Sequence, residues 1–247
     1  MLDVVITMGG LGKRFREVGY SIPKYMIEVR GKTLFEWSMS SLEGFSSYTN
    51  MYYFVVLRET GISCEDFIRS KCRELSINNY KIIELDHLTD GQATTAMKAS
   101  KYWNINNELL IYNIDTYVEP KQMKYSDIKG DGFIPCFFSE GNHWSFVKTD
   151  INNKAVEIKE KVRISDNCTI GAYYFKSCKL FEAMYREFYS NVDVLKSIVN
   201  GEKYISPIYN YMIEKGKNIF ISKINSGKVH VLGTPEELEL FLQQGEQ

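Results

Sequence analysis

A short turn near the start of the chain, residues 8–15 with the sequence MGGLGKRF, carries residue types that bind phosphate. Its three glycines let the backbone approach an anion and present N–H groups to it, and Lys13 and Arg14 add positive charge beside them. The turn matches neither the dinucleotide pattern G-x-G-x-x-G, because Phe15 occupies its last position, nor the Walker pattern. A glycine turn with solvated basic residues is the alternative interpretation.

The turn follows a short apolar run at 4–6, and similar runs recur along the first half of the chain. Runs rich in β-branched and aromatic residues predict buried strands, whereas longer segments with helical spacing and few breakers predict helices. Strands are predicted at 4–7, 52–57, 81–85 and 109–114, and helices at 33–42, 64–75 and 92–101. This alternation predicts an α/β fold, a Rossmann-like three-layer sandwich around a mainly parallel mixed sheet.

After residue 130 the alternation of strands and helices gives way to a series of short strands, connected by short turns such as 150–153. Strands are predicted at 133–138, 145–148, 155–158, 170–175 and 218–222, and helices at 178–189, at 207–215 and after Pro235. This pattern predicts a small antiparallel extension joined to the first sheet. Because no linker or repeat separates the two parts, we expect a single domain, 1–247, with halves at about 1–128 and 129–247.

Composition narrows the class of protein. The 247 residues carry a formal net charge of −1, which provides no broad positive field for nucleic acid or a membrane surface. The five cysteines include no C-x-x-C pair, so neither a disulfide framework nor a zinc site is indicated. The N-terminus has no signal-peptide pattern, and no apolar run approaches a membrane span. We therefore expect a cytoplasmic protein with a small substrate.

Several segments resemble one family. GGLGKRF at 9–15, followed by IPKYMIEVRGKTLFEW at 22–37, is similar to the G-x-G-x-R…P-K signature of the nucleotidylyltransferases that make nucleotide sugars. Later family motifs resemble, in the same order, GQATTA at 91–96, NIDTYV at 113–118, EIKEKVRISDNCTIGAYYF at 157–175 and LGTPEEL at 232–238. The resemblance implies a GT-A-like fold and transfer of a nucleoside monophosphate from a triphosphate to a small phosphorylated acceptor, with Mg²⁺ as cofactor.

The resemblance also implies roles for residues of the first half. Arg14, with Lys13, would hold the β- and γ-phosphates, Lys24 would contact the α-phosphate, and Asp115 would bind Mg²⁺. The alternative interpretations are an exposed turn lysine at Lys24 and a capping residue at Asp115. The predicted catalytic residues are Lys24, Arg14 and Asp115, and the predicted nucleotide-binding residues are Met8, Gly9, Gly10, Gly12, Lys13, Gln92 and Thr95.

The second half is expected to bind the acceptor. By the resemblance, Lys161 would hold the acceptor phosphate, Glu160 would accept hydrogen bonds from its hydroxyl or amine groups, and Gly171 would let it pass close to the backbone. In isolation, Glu160 and Lys161 would mark a solvated strand end. The GQATTA segment has two interpretations: contact of Gln92 with the base, or a helix start capped by Thr89 or Asp90.

The chain departs from the family at one position. A second metal-binding Asp is usual two residues before the closing G-T, and here that position holds Val231. Three interpretations remain open. Asp115 alone would suffice to bind the metal, another carboxylate such as Asp90 would replace the missing Asp, or the protein would be an enzyme that has lost its activity. His230 is adjacent, but imidazole is a poor ligand for Mg²⁺.

The substrates are predicted only as classes. The resemblance slightly favours CTP over UTP, dTTP or GTP, and a phosphosugar for a surface or capsule polysaccharide as acceptor. Similarity to capsule-associated cytidylyltransferases leaves phosphocholine and phosphoglutamine open. We expect a monomer or small homo-oligomer.

Two other classes of protein remain as alternatives. A GT-A glycosyltransferase normally needs a D-x-D motif, whereas Asp115 is followed by Thr116 and Tyr117. A non-catalytic nucleotide-binding regulator is favoured by Val231, because a regulator needs no second metal carboxylate. Release of pyrophosphate rather than of a nucleoside diphosphate would distinguish the nucleotidylyltransferase from the glycosyltransferase, and tight nucleotide binding without turnover would indicate the regulator.

Overall fold

The computed structural model describes residues 1–192, 194 and 201–244. The remaining positions of the predicted acceptor-binding half lie outside the described residues. The helices are α1 (Lys13–Glu17), α2 (Leu34–Ser40), α3 (Cys64–Glu74), α4 (Gln92–Met97), α5 (Cys178–Tyr189), α6 (Ser206–Glu214) and α7 (Pro235–Gln243). The strands are β1 (Leu2–Met8), β2 (Glu28–Val29), β3 (Lys32–Thr33), β4 (Thr49–Leu57), β5 (Tyr80–Leu85), β6 (Glu108–Asn113), β7 (Thr116–Val118), β8 (Gly132–Phe137), β9 (Ser145–Thr149), β10 (Ala155–Glu160), β11 (Cys168–Thr169), β12 (Ala172–Phe175), β13 (Ile219–Lys223) and β14 (Val229–Val231).

Ten of these strands form one mixed sheet in the order β10-β9-β11-β8-β12-β6-β1-β4-β5, with β13 beside β8. The pairings of β1 with β4 and β6, of β4 with β5 and of β13 with β8 are parallel. Strands β8 to β12 add antiparallel pairings, and β12 joins them to β6. The α/β fold and the antiparallel extension predicted from the sequence are therefore confirmed.

The pairing register of β1 and β6 determines which turns lie together at the edge of the sheet. Thr7 in β1 lies opposite Asn113 in β6, so the turns that follow these two strands leave the sheet side by side. The carboxyl ends of parallel strands are the usual ligand-binding edge of such a sheet. The turn 8–15 and Asp115 are consequently neighbours, although about a hundred residues separate them in the chain.

Apolar clusters cover both faces of the sheet. One face buries Phe35, Phe54 and Ile68 from the first half together with Tyr174 from the second. The opposite face buries residues of α4 with Phe181 of α5 and the strands between them. Each cluster thus draws on both halves of the chain, which is the packing that a common core requires. Over the described ranges, no helix has the length and apolar character needed to cross a bilayer.

The structure differs from the sequence prediction mainly at short elements. The predicted helix 92–101 is α4 followed by a 3₁₀ turn at Lys98–Lys101. The predicted strand 170–175 is interrupted at Gly171, whose φ of +81° is the left-handed conformation that favours glycine. Helix α1 and strands β7 and β14 were not predicted, because elements of three to five residues are too short to show a periodic pattern.

Candidate active site

A cleft of about 650 Å³ opens at the carboxyl ends of β1 and β6. Most of the residues predicted to bind substrate line it, namely Gly9, Gly10, Lys13, Arg14, Lys24, Gln92, Thr95, Asp115, Glu160, Lys161 and Gly171. Met8 and Gly12 are the exceptions: the Met8 side chain is buried in the core, and Gly12 is the N-cap residue of α1. The structure therefore brings residues of both halves of the chain to one cavity.

The glycine turn is held open by its flanking residues. Gly12 has a φ of +61° and caps α1, and a Cβ there would lie 3.5 Å from the Cβ of Lys24. Phe15, which breaks the dinucleotide pattern, is buried against Leu238 and Phe241 of α7. With one face of α1 anchored in this way, Lys13 and Arg14 remain exposed at the cleft, where they can meet an anion.

Lys24 and Asp115 form an ion pair in the cleft wall. The distance from Lys24 Nζ to Asp115 Oδ2 is 2.5 Å, and the two side chains are only 16% and 27% exposed. Pro23, with a φ of −54°, leads Lys24 into a 3₁₀ turn at Lys24–Met26. A cation held this way beside a carboxylate is restricted in its rotamers, so it is positioned before any ligand arrives. The alternative interpretation of Lys24 as an exposed turn residue does not fit this burial.

Val231, where the family usually has a second metal-binding Asp, lies in the cleft wall near Asp115. Val231 pairs with Thr116 across the β14–β7 ribbon and lines the cleft, and the Leu232 N–H donates to the Asp115 carbonyl oxygen at 2.9 Å. Asp90 does not replace the missing carboxylate: it is outside the lining of the cleft, and its side chain accepts hydrogen bonds from Lys203 and Thr94. His230 stacks on Tyr117, 5.3 Å between ring centroids, and is likewise not among the lining residues.

A carboxylate that the sequence analysis missed lies in the same wall. Glu237, in the first turn of α7, lines the cleft and accepts a hydrogen bond from the Gly233 N–H at 3.0 Å. Burial raises the pKa of Glu237 above its usual range, and the charge of Asp115 raises it further. The sequence signal for Glu237 was weak, because a Glu three residues after Thr234 also fits a helix-capping box.

The start of α4 presents polar groups to the floor of the cleft. Gln92 Nε2 donates to Asn113 Oδ1 and lies 3.5 Å from Thr7 Oγ1, which links α4 to the ends of β6 and β1. Thr95 Oγ1 donates to the Gly91 carbonyl oxygen at 3.1 Å. Thr7, Gln92 and Asn113 all line the cleft, so their remaining donors and acceptors can meet the edge of a base.

The expectation that Thr89 or Asp90 caps α4 is wrong. Gly91 is the capping residue and no side chain caps the helix. Instead the Ala93 N–H donates to the Lys203 carbonyl oxygen at 2.9 Å, and the Lys203 N–H donates to the Asp90 carbonyl oxygen at 2.6 Å. A backbone segment distant in the chain thus accepts a hydrogen bond from a free N–H group at the start of α4. The local sequence around residues 89–92 cannot reveal such a partner.

The second half contributes an acidic and a basic residue, Glu160 and Lys161, to the lining of the cleft. Glu160, at the end of β10, accepts hydrogen bonds from Ser145 of β9 and Ser206 of α6. Lys161 has a φ of +56° and donates to the Tyr204 hydroxyl. These contacts hold both side chains in place, which argues against a mobile, solvated strand end.

Gly171 forms the junction between the two halves of the cleft. A Cβ at this position would lie 2.3 Å from Asn113 Nδ2, and the Asn113 N–H donates to the Gly171 carbonyl oxygen at 3.1 Å. No larger residue fits there without displacing Asn113. The close contact at Gly171 is thus with Asn113, and the passage of an acceptor close to its backbone stays a prediction.

The donor groups of the cleft suit a hard divalent cation. Carboxylate oxygens such as those of Asp115, together with water and substrate phosphates, are the ligands that Mg²⁺ takes. The described part of the chain contains no group of three or more His, Cys, Asp and Glu side chains arranged to hold a metal ion. The residues present thus fit Mg²⁺ bound together with a triphosphate better than a transition metal held by protein alone.

Comparison with known proteins places the chain in a family. No protein-family model and no curated protein sequence matches it. The crystal structure of the nucleoside-diphosphate-sugar pyrophosphorylase from Vibrio cholerae RC9 is 33% identical, with a TM-score of 0.89, over 98% of this chain and 100% of that one.

Two more distant structures share the fold. The inositol-1-phosphate CTP transferase from T. maritima is 15% identical, with a TM-score of 0.73, over 99% of this chain and 96% of that one. The CTP:phosphocholine cytidylyltransferase from Streptococcus pneumoniae is 13% identical, with a TM-score of 0.70, over 98% of each chain. Given its identity to the Vibrio cholerae protein over nearly the whole length of both chains, the chain belongs to the nucleotidylyltransferase family and is a nucleotidyltransferase.

Proposed function

We propose that this chain transfers a nucleoside monophosphate from a nucleoside triphosphate to a small phosphorylated acceptor and releases pyrophosphate. The observation that carries the proposal is the single cleft that joins the glycine turn with Lys13 and Arg14, the Lys24–Asp115 pair, and Glu160 with Lys161. The cations of the first half, with Lys161 of the second half in the same cavity, suit two anionic substrates that must be held together.

The reaction requires little proton transfer from the protein. An ionised oxygen of the acceptor phosphate attacks the α-phosphorus in line, a new P–O bond forms, and the bond to the bridging oxygen breaks so that pyrophosphate leaves with its electron pair. Because the attacking phosphate is already ionised near neutral pH, no general base is needed. The protein therefore acts by orienting the two substrates and by stabilising negative charge on the leaving group.

Each proposed catalytic residue has a position that suits its task. Arg14 and Lys13, exposed beside the glycine turn, bind the β- and γ-phosphates and stabilise the leaving pyrophosphate. Lys24, held beside Asp115 in the cleft wall, contacts the α-phosphate of the bound triphosphate. Lys161 binds the acceptor phosphate and Glu160 accepts hydrogen bonds from hydroxyl or amine groups of the acceptor.

Mg²⁺ is the proposed cofactor, and Asp115 is the residue that would hold it. When bound, the ion supplies positive charge that offsets the charge of the triphosphate.

The nucleotide-binding residues proposed for the cleft are Met8, Gly9, Gly10, Gly12, Lys13, Gln92 and Thr95. Of these, Met8 and Gly12 shape the turn, and the others line the cavity.

For the individual substrates, we propose CTP and a phosphosugar or related phosphorylated metabolite, used in making a surface or capsule polysaccharide. The name of the Vibrio cholerae relative supports a sugar product, and two structures with the same fold are named for the use of CTP. We propose that the chain acts in the cytoplasm, as a monomer or small homo-oligomer. The five cysteines, all buried and free, fit the reducing conditions of the cytoplasm.

Membership of the nucleotidylyltransferase family disfavours the two other classes, a GT-A glycosyltransferase and a non-catalytic regulator.

The experiment that tests the proposal measures the products formed from CTP, UTP, dTTP and GTP with Mg²⁺ and a panel of phosphosugars, phosphocholine and phosphoglutamine. We expect pyrophosphate release that depends on one triphosphate and one acceptor. Release of a nucleoside diphosphate from a nucleotide sugar in a parallel assay, or tight triphosphate binding without turnover across a wider acceptor panel, would contradict the proposal.

A further inference from the structure

Two carboxylates face each other beside Gly233, at the junction of β14 and α7. A Cβ built on Gly233 would lie 3.5 Å from Asp115 Oδ2 and 3.4 Å from Glu237 Oε2. Both oxygens therefore lie within 3.5 Å of one point, and glycine leaves that point free of side-chain atoms. Asp115 and Glu237 line the cleft, so the space between them opens to a ligand.

Protein groups balance the charge of only one of these two carboxylates. Lys24 offsets the carboxylate of Asp115. Glu237 accepts a hydrogen bond from the Gly233 N–H, but it has no ion-pair partner within the described ranges. A partly buried carboxylate without a cation is unfavourable, and a divalent ion bound between the two carboxylates would remove that penalty.

The position of Glu237 is determined by packing. Leu238 and Phe241 of α7 are buried with Phe15 of the glycine turn, which fixes the first turn of α7 against the phosphate-binding turn. Pro235 begins the helix, and the Thr234 hydroxyl accepts a hydrogen bond from the Glu237 N–H at 3.2 Å. Glu237 is therefore held at the cleft and does not swing freely in solvent.

We propose that Glu237 supplies the second carboxylate for the divalent cation that accompanies the triphosphate, from α7 in place of position 231. This inference rests on the proposed function, because the cation enters with the triphosphate. It also explains how the chain can dispense with a carboxylate at Val231, which lines the same cleft.

The competing explanation is that Glu237 only holds the backbone at Gly233. The variant Glu237→Gln separates the two roles, since its amide oxygen still accepts the Gly233 hydrogen bond while the negative charge is lost. Glu239→Gln is the matched control, because Glu239 is an exposed residue of the same helix. Equal urea midpoints for the variants and the natural protein would show that the fold is intact.

The readout is the dissociation constant of Mn²⁺ from the complex of the full chain with each triphosphate, followed by electron paramagnetic resonance. We expect Glu237→Gln to weaken Mn²⁺ binding about 10- to 100-fold, and Glu239→Gln to leave it unchanged. In the double variant Val231→Asp with Glu237→Gln, we expect binding to recover, because a carboxylate returns to the cleft at another position. Unchanged binding in Glu237→Gln, or persistent weak binding in the double variant, would overturn the inference.

This test is separate from the test of the reaction. If the natural protein releases pyrophosphate and Glu237→Gln binds Mn²⁺ normally, the inference fails and the proposed function stands. If Mn²⁺ binding depends on Glu237 while no acceptor yields pyrophosphate, the proposed function fails and the inference stands. Absence of Mn²⁺ binding with every triphosphate would contradict both.

Discussion

At the scale of single residues, we expect the Lys24–Asp115 pair to control the chemistry, because it places one cation and one carboxylate in direct contact at the cleft. We predict that Lys24→Ala and Asp115→Ala each lower kcat/KM by at least about 10²-fold, the range for loss of a charge-stabilising group. The measurement is steady-state pyrophosphate release.

Two exposed residues serve as controls for this prediction. Lys148→Ala and Asp127→Ala remove the same charges from positions that are exposed and do not line the cleft. Both controls are expected to keep normal rates, and circular dichroism should show the fold retained in all four variants. Near-normal rates in Lys24→Ala and Asp115→Ala would show that the pair does not act in catalysis.

At the scale of elements, the start of α4 depends on its contact with the segment around Lys203. Gly91 has a φ of +137°, and a Cβ there would lie 2.4 Å from the Lys203 nitrogen and 2.5 Å from its carbonyl oxygen. We predict that Gly91→Ala lowers the free energy of unfolding by about 2–3 kcal/mol through strain and displaced backbone. Urea denaturation measures the change.

The matched control is Gly10→Ala, because nothing lies within 4 Å of the Cβ that this change would add. Its free energy of unfolding should stay close to that of the natural protein. Equal stability of Gly91→Ala and Gly10→Ala would mean that the Lys203 segment does not constrain α4.

The same contact predicts a dependence of stability on pH. Burial alone would raise the pKa of Asp90, but hydrogen bonds from Lys203 and Thr94 outweigh it and hold the pKa below its usual value. A carboxyl with a lowered pKa in the folded state stabilises the protein above the unfolded-state pKa, near 3.9, and loses that contribution as the pH falls through the folded-state value.

We therefore predict that Asp90→Asn lowers the free energy of unfolding at pH 7 and that the difference from the natural protein shrinks below about pH 4. Urea titrations at pH 7, 5 and 3.5 test this, with Asp127→Asn, which changes an exposed carboxylate, as the control. A difference that stays constant with pH would contradict the role assigned to the Asp90–Lys203 pair.

At the scale of the whole molecule, one sheet and two shared apolar clusters connect the halves 1–128 and 129–247. We predict a single cooperative unfolding transition, because neither half can unfold without exposing core residues of the other. The fluorescence of Trp144, in a variant with Trp37 and Trp103 replaced by Phe, reports on the second half, and Trp144→Phe leaves reporters in the first. Two different urea midpoints would show separate domains.

Local patterns in the sequence determined the strands of the sheet, the glycine turn and the motifs that carry Lys24, Asp115 and Glu160. They did so because side-chain periodicity and turn chemistry depend on near neighbours in the chain. The pairing register of parallel strands depends on which of their faces are buried, and this too can be read from the pattern. The position of the first turn beside Asp115 was therefore predictable in outline.

Contacts between distant segments were decided only by the tertiary structure. The Lys203 carbonyl that completes α4, the ion pair between Lys24 and Asp115, and the approach of Glu237 to Asp115 each join residues many positions apart. Their geometry depends on how α7 packs on the glycine turn and how the second half closes the cleft. A one-dimensional pattern does not encode such packing, because it arises from the shapes of many side chains fitted together.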